Sequence, residues 1–278
     1  MFKNKSITII GAGHLGSALA RGLIKSGHPA RSITFSNRDP SKTERLVKEL
    51  GVLSAKTNTQ AIMNAEILIL AVKPQYMQDV CREIAPSIQH TQPIIISLAG
   101  VISIASMKKW LNNKDLAITR VMTNTPIEFC KGTSALFACP SVTPEQQQLV
   151  ETIFNEVGYT FWVNQESLID SLTAPVGCAP AYVFLFLEAL QEAAISRGIP
   201  EELSEKIALE SVLGAAELAK KSGRSFAQLR TGVTTPHGVT AHSLEKLSFT
   251  DFFDLFKQIF AAAEERIEQI TQSLNTDV

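Results

Sequence analysis

The apolar and polar positions of this chain keep one rhythm up to about Asn164 and another beyond it. In the first stretch, short apolar runs of strand length alternate with segments of helical spacing. The runs are Ile7, Ile9 and Ile10, then Ser32–Ser36, Ala65–Val72, Pro93–Leu98, Leu116–Val121, Thr133–Ala138 and Tyr159–Val163. Between them, helical periodicity predicts helices directly after Gly16 and at Ser41–Leu50, Gln75–Gln89, Ile102–Trp110 and Pro144–Val157. Such alternation predicts a largely parallel sheet, because parallel neighbours need crossover helices. From Glu166 onward nearly everything has helical spacing. Breaks fall only at Pro175, Gly177, Pro180, Gly198-Ile199-Pro200, Gly223 and Pro236-His237-Gly238.

The first strand runs into Gly11-Ala12-Gly13-His14-Leu15-Gly16 and then into helix-forming residues. Strand, glycine turn and helix in that order form the context in which GxGxxG means dinucleotide binding rather than a simple turn. Gly11 allows the tight turn, Gly13 lets a pyrophosphate approach the backbone, and Gly16 lets helix and strand pack closely. The helix start offers unpaired N–H groups and partial positive charge. The predicted fold is therefore α/β: an N-terminal Rossmann domain over residues 1–163, followed by an all-helical domain over residues 164–278.

About twenty residues past the glycine turn, where NAD sites carry an acid, stand Ser36, Asn37 and Arg38. An Arg there suits the 2′-phosphate of NADP; the alternative is a solvated Arg in a polar loop. Ala71, Val72, Lys73 and Pro74 follow a buried strand and lie where a cofactor passes in a doubly wound sheet. Later, Thr234-Thr235-Pro236-His237-Gly238-Val239-Thr240 sits between helices. Its N–H groups and hydroxyls suit either a helix cap or a small-molecule site.

The segment Ala181–Arg197 is apolar around most of its circumference. Such a helix must be surrounded, and one small helical domain cannot do that alone. The expected cover is a second subunit in an isologous homodimer; the alternative is the central helix of a monomeric bundle.

Composition changes this picture little. Of 278 residues, 45% are hydrophobic and 19% charged, and Lys plus Arg (26) nearly equals Asp plus Glu (27). No global field points to nucleic acid or an anionic membrane. Ala181–Leu190 is too short to span a bilayer, and no secretory pattern opens the chain. Cys81, Cys130, Cys139 and Cys178 have neither CxxC nor zinc spacing, and no metal-ligand cluster is expected. The expectation is a soluble, cytoplasmic protein with free thiols.

Taken with GAGHLGSALA, the sequences AVKPQ (Ala71–Gln75), RVMTNTP (Arg120–Pro126), LIDSLTA (Leu168–Ala174), PAYVFLFLEAL (Pro180–Leu190), VLGAA (Val212–Ala216) and TTPHGVT make the chain resemble the pyrroline-5-carboxylate reductase family over nearly its full length. The resemblance implies NADPH, with NADH as the alternative cofactor, 1-pyrroline-5-carboxylate as substrate and L-proline as product. It also implies dimers interlocked through the helical domain, often assembled into decamers. Cofactor contacts carry over to Gly11–Gly16, Ser36–Arg38, Asn58, Ala71–Pro74 and Ser97, Leu98 and Ala99. Substrate contacts carry over to Thr235, Gly238, Val239 and Thr240, with Glu166 nearby. The N–H groups of Gly238, Val239 and Thr240 would hold the carboxylate, and the Thr240 hydroxyl would meet the ring nitrogen as the catalytic contact.

Two departures from the family pattern stand out. His237 replaces a glycine in the TTPHGVT loop, and Ala179 replaces a glycine before the long helix. They keep open a second reading, a reductase-like NADP-binding paralogue acting on another imine or regulating without turnover. A hydroxyacid dehydrogenase of the same plan is disfavoured, because Ala181–Arg197 carries no Lys to serve as general acid.

Overall fold

A computed structural model describes residues 4–247 and 249–276. The chain divides into two compact units, one built on residues up to Cys178 and the end of the last helix from Ala263, the other on Ala179–Ala262. The pattern change at Asn164 follows the last strand directly; the division into units falls later.

The first unit alternates strands and helices: β1 (Ile7–Ile10), α1 (His14–Lys25), β2 (Ile33–Ser36), α2 (Pro40–Leu50), β3 (Leu53–Ser54), α3 (Asn58–Ile62), β4 (Ile67–Leu70), α4 (Pro74–Thr91), β5 (Ile94–Ser97), α5 (Ile104–Trp110), β6 (Ile118–Met122), β7 (Gly132–Ala138), α6 (Pro144–Asn155) and β8 (Gly158–Trp162). The sheet order is β3-β2-β1-β4-β5-β6-β7-β8. The chain leaves β1 in one direction and returns to its other side at β4. That reversal is the topological switch point of a doubly wound sheet. Register aligns the strand ends there: Ile10 pairs with Ser36 and Leu70, and Leu70 with Ser97.

Alternate residues of each strand feed two cores. Ile9, Phe35, Ile69 and Ile96 pack with Leu19 and Leu23 of α1 and Phe154 of α6. Leu68, Leu70 and Ile95 pack with Met77 and Ile84 of α4 and Met107 of α5. Burial on both faces explains why these strands read as unbroken apolar runs.

The sheet is largely parallel, as expected, with one antiparallel pairing. β7 runs antiparallel to β6, and β8 is parallel to β7. The link Thr123–Lys131 contains a 3₁₀ turn, Thr125–Phe129, rather than a crossover helix, so the chain can only double back. α6 then restores a crossover between β7 and β8. β3 and α3 carried no periodic signal, since one has two residues and the other five.

After β8 come α7 (Ser167–Ser171) and a π turn, Thr173–Gly177. The second unit holds α8 (Ala179–Ile195), α9 (Glu201–Ser222), α10 (Phe226–Gly232), α11 (Val239–Glu245) and most of α12 (Phe249–Thr276). Pro180 is the second residue of α8, where its missing N–H costs nothing, so the helix begins earlier than the sequence pattern predicts. Tyr182 of α8 meets Phe256 and Phe260 of α12, each at 6.4 Å between ring centroids. No residue of α8 is buried, and Phe184 and Leu185 are 61% and 66% exposed.

Candidate active site

The glycine turn is shaped by its neighbours. Gly11 has φ +109, and a Cβ on it would lie 2.6 Å from the Ala71 carbonyl oxygen. A Cβ on Gly16 would strike the Gly11 carbonyl oxygen, so α1 sits against the turn only because residue 16 lacks a side chain. At Gly13 the reverse holds: a Cβ would meet nothing within 4 Å. Gly13 is the N-cap of α1, which has no side-chain cap and no acid in its first turn. The helix start therefore presents unpaired N–H groups to open space, an arrangement that fits a pyrophosphate. Ala12 N–H donates to Asn37 Oδ1 at 3.1 Å and ties the turn to the end of β2.

A cavity of about 560 Å³ runs along the switch point. Of the expected cofactor residues, Gly11, Gly13, Ser36, Asn37, Arg38, Asn58, Ala71, Val72 and Lys73 line it. Ala12 and His14 line an adjoining cavity of about 550 Å³, which shares Gly13 and Lys42. Leu15 packs against the core, Gly16 is buried behind the turn and Pro74 opens α4. Ser97, Leu98 and Ala99 are buried at the end of β5 and line neither cavity.

The polar wall is connected. Ser36 Oγ donates to Asn58 Oδ1 at 2.7 Å, and Asn58 Nδ2 donates to Glu83 Oε2 at 2.7 Å. The Arg38 guanidinium lies over the Tyr76 ring, 4.5 Å from its centroid. Lys42 and Lys56 add positive charge to the same cavity. Asp39 is engaged elsewhere: as N-cap of α2, its Oδ1 accepts from Ser41 Oγ at 2.7 Å and Ser41 N–H at 3.1 Å. Those bonds hold its carboxyl below the usual carboxylate range. Tyr76, Lys42 and Lys56 were missed in the sequence. Only Tyr76, directly after AVKPQ, stood beside a recognisable signal.

Glu166 lies in the first unit. Its Oε1 accepts from the Ile104 N–H at the start of α5 (2.7 Å) and from Arg120 Nη1 (3.1 Å). The buried Arg120 is a further residue that local sequence reasoning did not single out as part of the site.

The TTPHGVT loop belongs to the second unit. His237 has φ 59, so the position does require the left-handed backbone that a glycine takes freely. Ala179, by contrast, opens a helix and does not have a positive φ, so glycine is not required there. Gly238 N–H donates to Thr235 O at 3.0 Å and closes a turn. It is therefore engaged, whereas the N–H groups of Val239 and Thr240 are among those in the uncapped first turn of α11 without an intrahelical acceptor. Thr235, Gly238, Val239 and Thr240 thus come together at one helix start. His242 Nδ1, nearby, lies 3.1 Å from Glu245 Oε2.

The family model described as pyrroline-5-carboxylate reductase dimerisation matches residues 166–270. One described as NADP oxidoreductase, coenzyme F420-dependent, matches residues 6–100. A pyrroline-5-carboxylate reductase of Pasteurella multocida is 36% identical over 270 residues, covering 96% of this chain and 98% of its own. The chain belongs to the pyrroline-5-carboxylate reductase family. A solved member of that family from Coxiella burnetii superposes with a TM-score of 0.86 at 36% identity, covering 95% of this chain and 98% of its own. The Plasmodium falciparum pyrroline carboxylate reductase, solved with NADP bound, gives 0.87 at 27% identity and covers 97% and 99%. Like other members of the family, this reductase has an NADP-binding Rossmann domain and a helical domain through which it forms a homo-oligomer. Among the described residues, no helix is long and apolar enough to cross a membrane.

Proposed function

We propose that this chain is a pyrroline-5-carboxylate reductase, converting 1-pyrroline-5-carboxylate to L-proline by NADPH-dependent hydride transfer to the C=N bond, with NADH as a slower alternative. The observation that carries this reading is its match, along nearly the whole chain, to enzymes of that name. Bound NADPH supplies the hydride. The protein's part is to bind, orient and exclude water. The α1 N-terminus beside Gly13 would hold the pyrophosphate, and Arg38, Lys42 and Lys56 the 2′-phosphate. Asn58, linked to Ser36, would border the ribose, and the ends of β4 and β5 at Ala71–Pro74 and Ser97–Ala99 the remainder of the cofactor.

For the substrate, the N–H groups of Val239 and Thr240 would hold the carboxylate, with Thr235 and Gly238 shaping the turn; Glu166, in the other unit, is kept as a substrate contact on the family resemblance alone. The Thr240 hydroxyl would hydrogen-bond the ring nitrogen. A cyclic imine takes up a proton readily, and its iminium accepts hydride without a dedicated strong acid. This suits a site whose proposed substrate contacts are backbone N–H groups and a threonine hydroxyl.

The exposed apolar face of α8 supports an isologous dimer as the building unit, and the family resemblance supports a decamer built from it. Sedimentation velocity finding only monomer at micromolar concentration would exclude both. The division into an NADP-binding part (1–163) and a helical substrate part (164–278) follows the change of pattern at Asn164. Four unpaired cysteines support a reducing, cytoplasmic location.

The test is NADPH oxidation with racemic pyrroline-5-carboxylate, repeated with NADH at matched concentration. Faster turnover with NADPH supports the reading. Cofactor binding without turnover would instead favour the paralogue reading.

A further inference from the structure

The loop after β5 contains a residue whose conformation its own side chain disfavours. Val101 has φ 64, and β-branched residues seldom occupy the left-handed region. Its N–H donates to Asp170 Oδ1 at 3.1 Å. Three residues on, the Ile104 N–H is held by Glu166 Oε1. One guanidinium joins the two carboxylates. Arg120 Nη2 donates to Asp170 Oδ1 at 2.6 Å, and Nη1 donates to Asp170 Oδ2 at 3.2 Å and to Glu166 Oε1 at 3.1 Å. The Arg120 side chain is 2% exposed. A charge so buried must be paired, so the arginine fixes the carboxylates and the carboxylates fix one N–H of the loop and one at the start of α5.

We propose that Arg120 and Asp170 are positioning residues for hydride transfer. They hold Val101 left-handed and so set the path of residues 97–103 beside the cofactor. This rests on the proposed contact of Ser97–Ala99 with the cofactor. Neither residue touches the reacting atoms. Without Asp170, Val101 relaxes to the negative φ that its side chain prefers, and the loop moves with it. A glycine at 101 accepts the left-handed backbone with no Cβ penalty, so part of the original path is regained without the clamp.

The experiment is a double-mutant cycle on the full-length enzyme with Asp170→Ala, Val101→Gly and the pair. It reads kcat, NADPH affinity by fluorescence titration and the unfolding midpoint. Asp170→Ala should lower kcat at least tenfold and change NADPH affinity less than threefold, since the Arg38 end of the cavity is untouched. Adding Val101→Gly should recover at least threefold of kcat. If Asp170→Ala does not fold, Asp170→Asn takes its place in the same cycle, with the same rescue expected. Strictly multiplicative losses, or a kcat within twofold of the parent, overturn the positioning role. An unmutated enzyme that does not turn over pyrroline-5-carboxylate overturns the proposed function, and this inference with it.

Discussion

Replacing Arg38 by alanine separates the 2′-phosphate from everything else the cofactor site does. Arg38 is exposed at the end of β2, and its guanidinium is held over Tyr76 at 4.5 Å from the ring centroid. A hydrogen bond between a charged donor and a phosphate contributes about 1.5–3 kcal/mol, and exposure places Arg38 near the lower end of that range. At about 1.4 kcal/mol per factor of ten, Arg38→Ala should lower kcat/KM for NADPH about 10- to 30-fold. NADH, lacking that phosphate, should change by no more than about two- to fivefold, the size expected for losing an exposed stacking contact. Lys42 and Lys56 share the cavity and keep the loss from reaching the upper end of the range. The assay is initial rates for both cofactors at one fixed ionic strength, because screening changes the answer. Equal losses with NADPH and NADH would refute the reasoning, since Arg38 would then be supporting the fold of the site rather than reading the phosphate.

Thr240→Ala should lower kcat/KM by about 1–3 kcal/mol of transition-state binding, with Thr240→Ser keeping most of it; an unchanged kcat/KM would remove the hydroxyl from the mechanism. His237→Gly should raise stability by about 0.5 kcal/mol, since it removes the left-handed penalty but adds unfolded-state entropy, and thermal melts at fixed protein concentration check the sign. Burial pushes the Cys81 thiol up to about 12, so it should resist alkylation at pH 8.5 in the folded protein and react once denaturant opens the core. Because the unfolded thiol ionises near pH 8.5, the stability Cys81 contributes is complete below that value and lost as pH climbs toward 12; a Cys81→Ala variant should lose less stability than the parent between pH 8 and 10.

What could be read from the sequence was what local chemistry dictates. The glycine turn, the end of β2 at Ser36 and the stop of α2 at Leu50 each depend on a few adjacent residues, and they lie where the pattern placed them, whereas β4 ends at Leu70, two residues before the predicted Val72. The direction of β7 depended on something less visible, the lack of a helix between Met122 and Gly132. The Val101 clamp was not legible at all. It joins positions 69 and 50 residues apart in the chain, and nothing around Asp170 marks it as the acceptor of a distant N–H. Tyr76 belongs to the same class, since its partner is brought to it by the sheet. At His237 the replaced glycine was visible in the sequence, but the left-handed backbone and the engagement of the Gly238 N–H required the turn itself.

The helical unit shows the opposite relation between pattern and structure. A helix apolar on nearly every side would ordinarily be read as the centre of a core, yet α8 has no buried residue, with Phe186 51% and Val183 44% exposed. α9 repeats this, with Leu213 53% exposed and only Ser204 and Ala208 buried. Fully covering one Phe or Leu side chain stabilises by about 1.5–3 kcal/mol. The side chains left open on these two helices therefore represent stabilisation comparable to the net stability of a typical domain. A unit with so much of its apolar surface outside the chain acquires its core on assembly. Its stability is then inseparable from protein concentration. The periodicity was legible in one chain, and the core it records is the one that the homo-oligomer would complete.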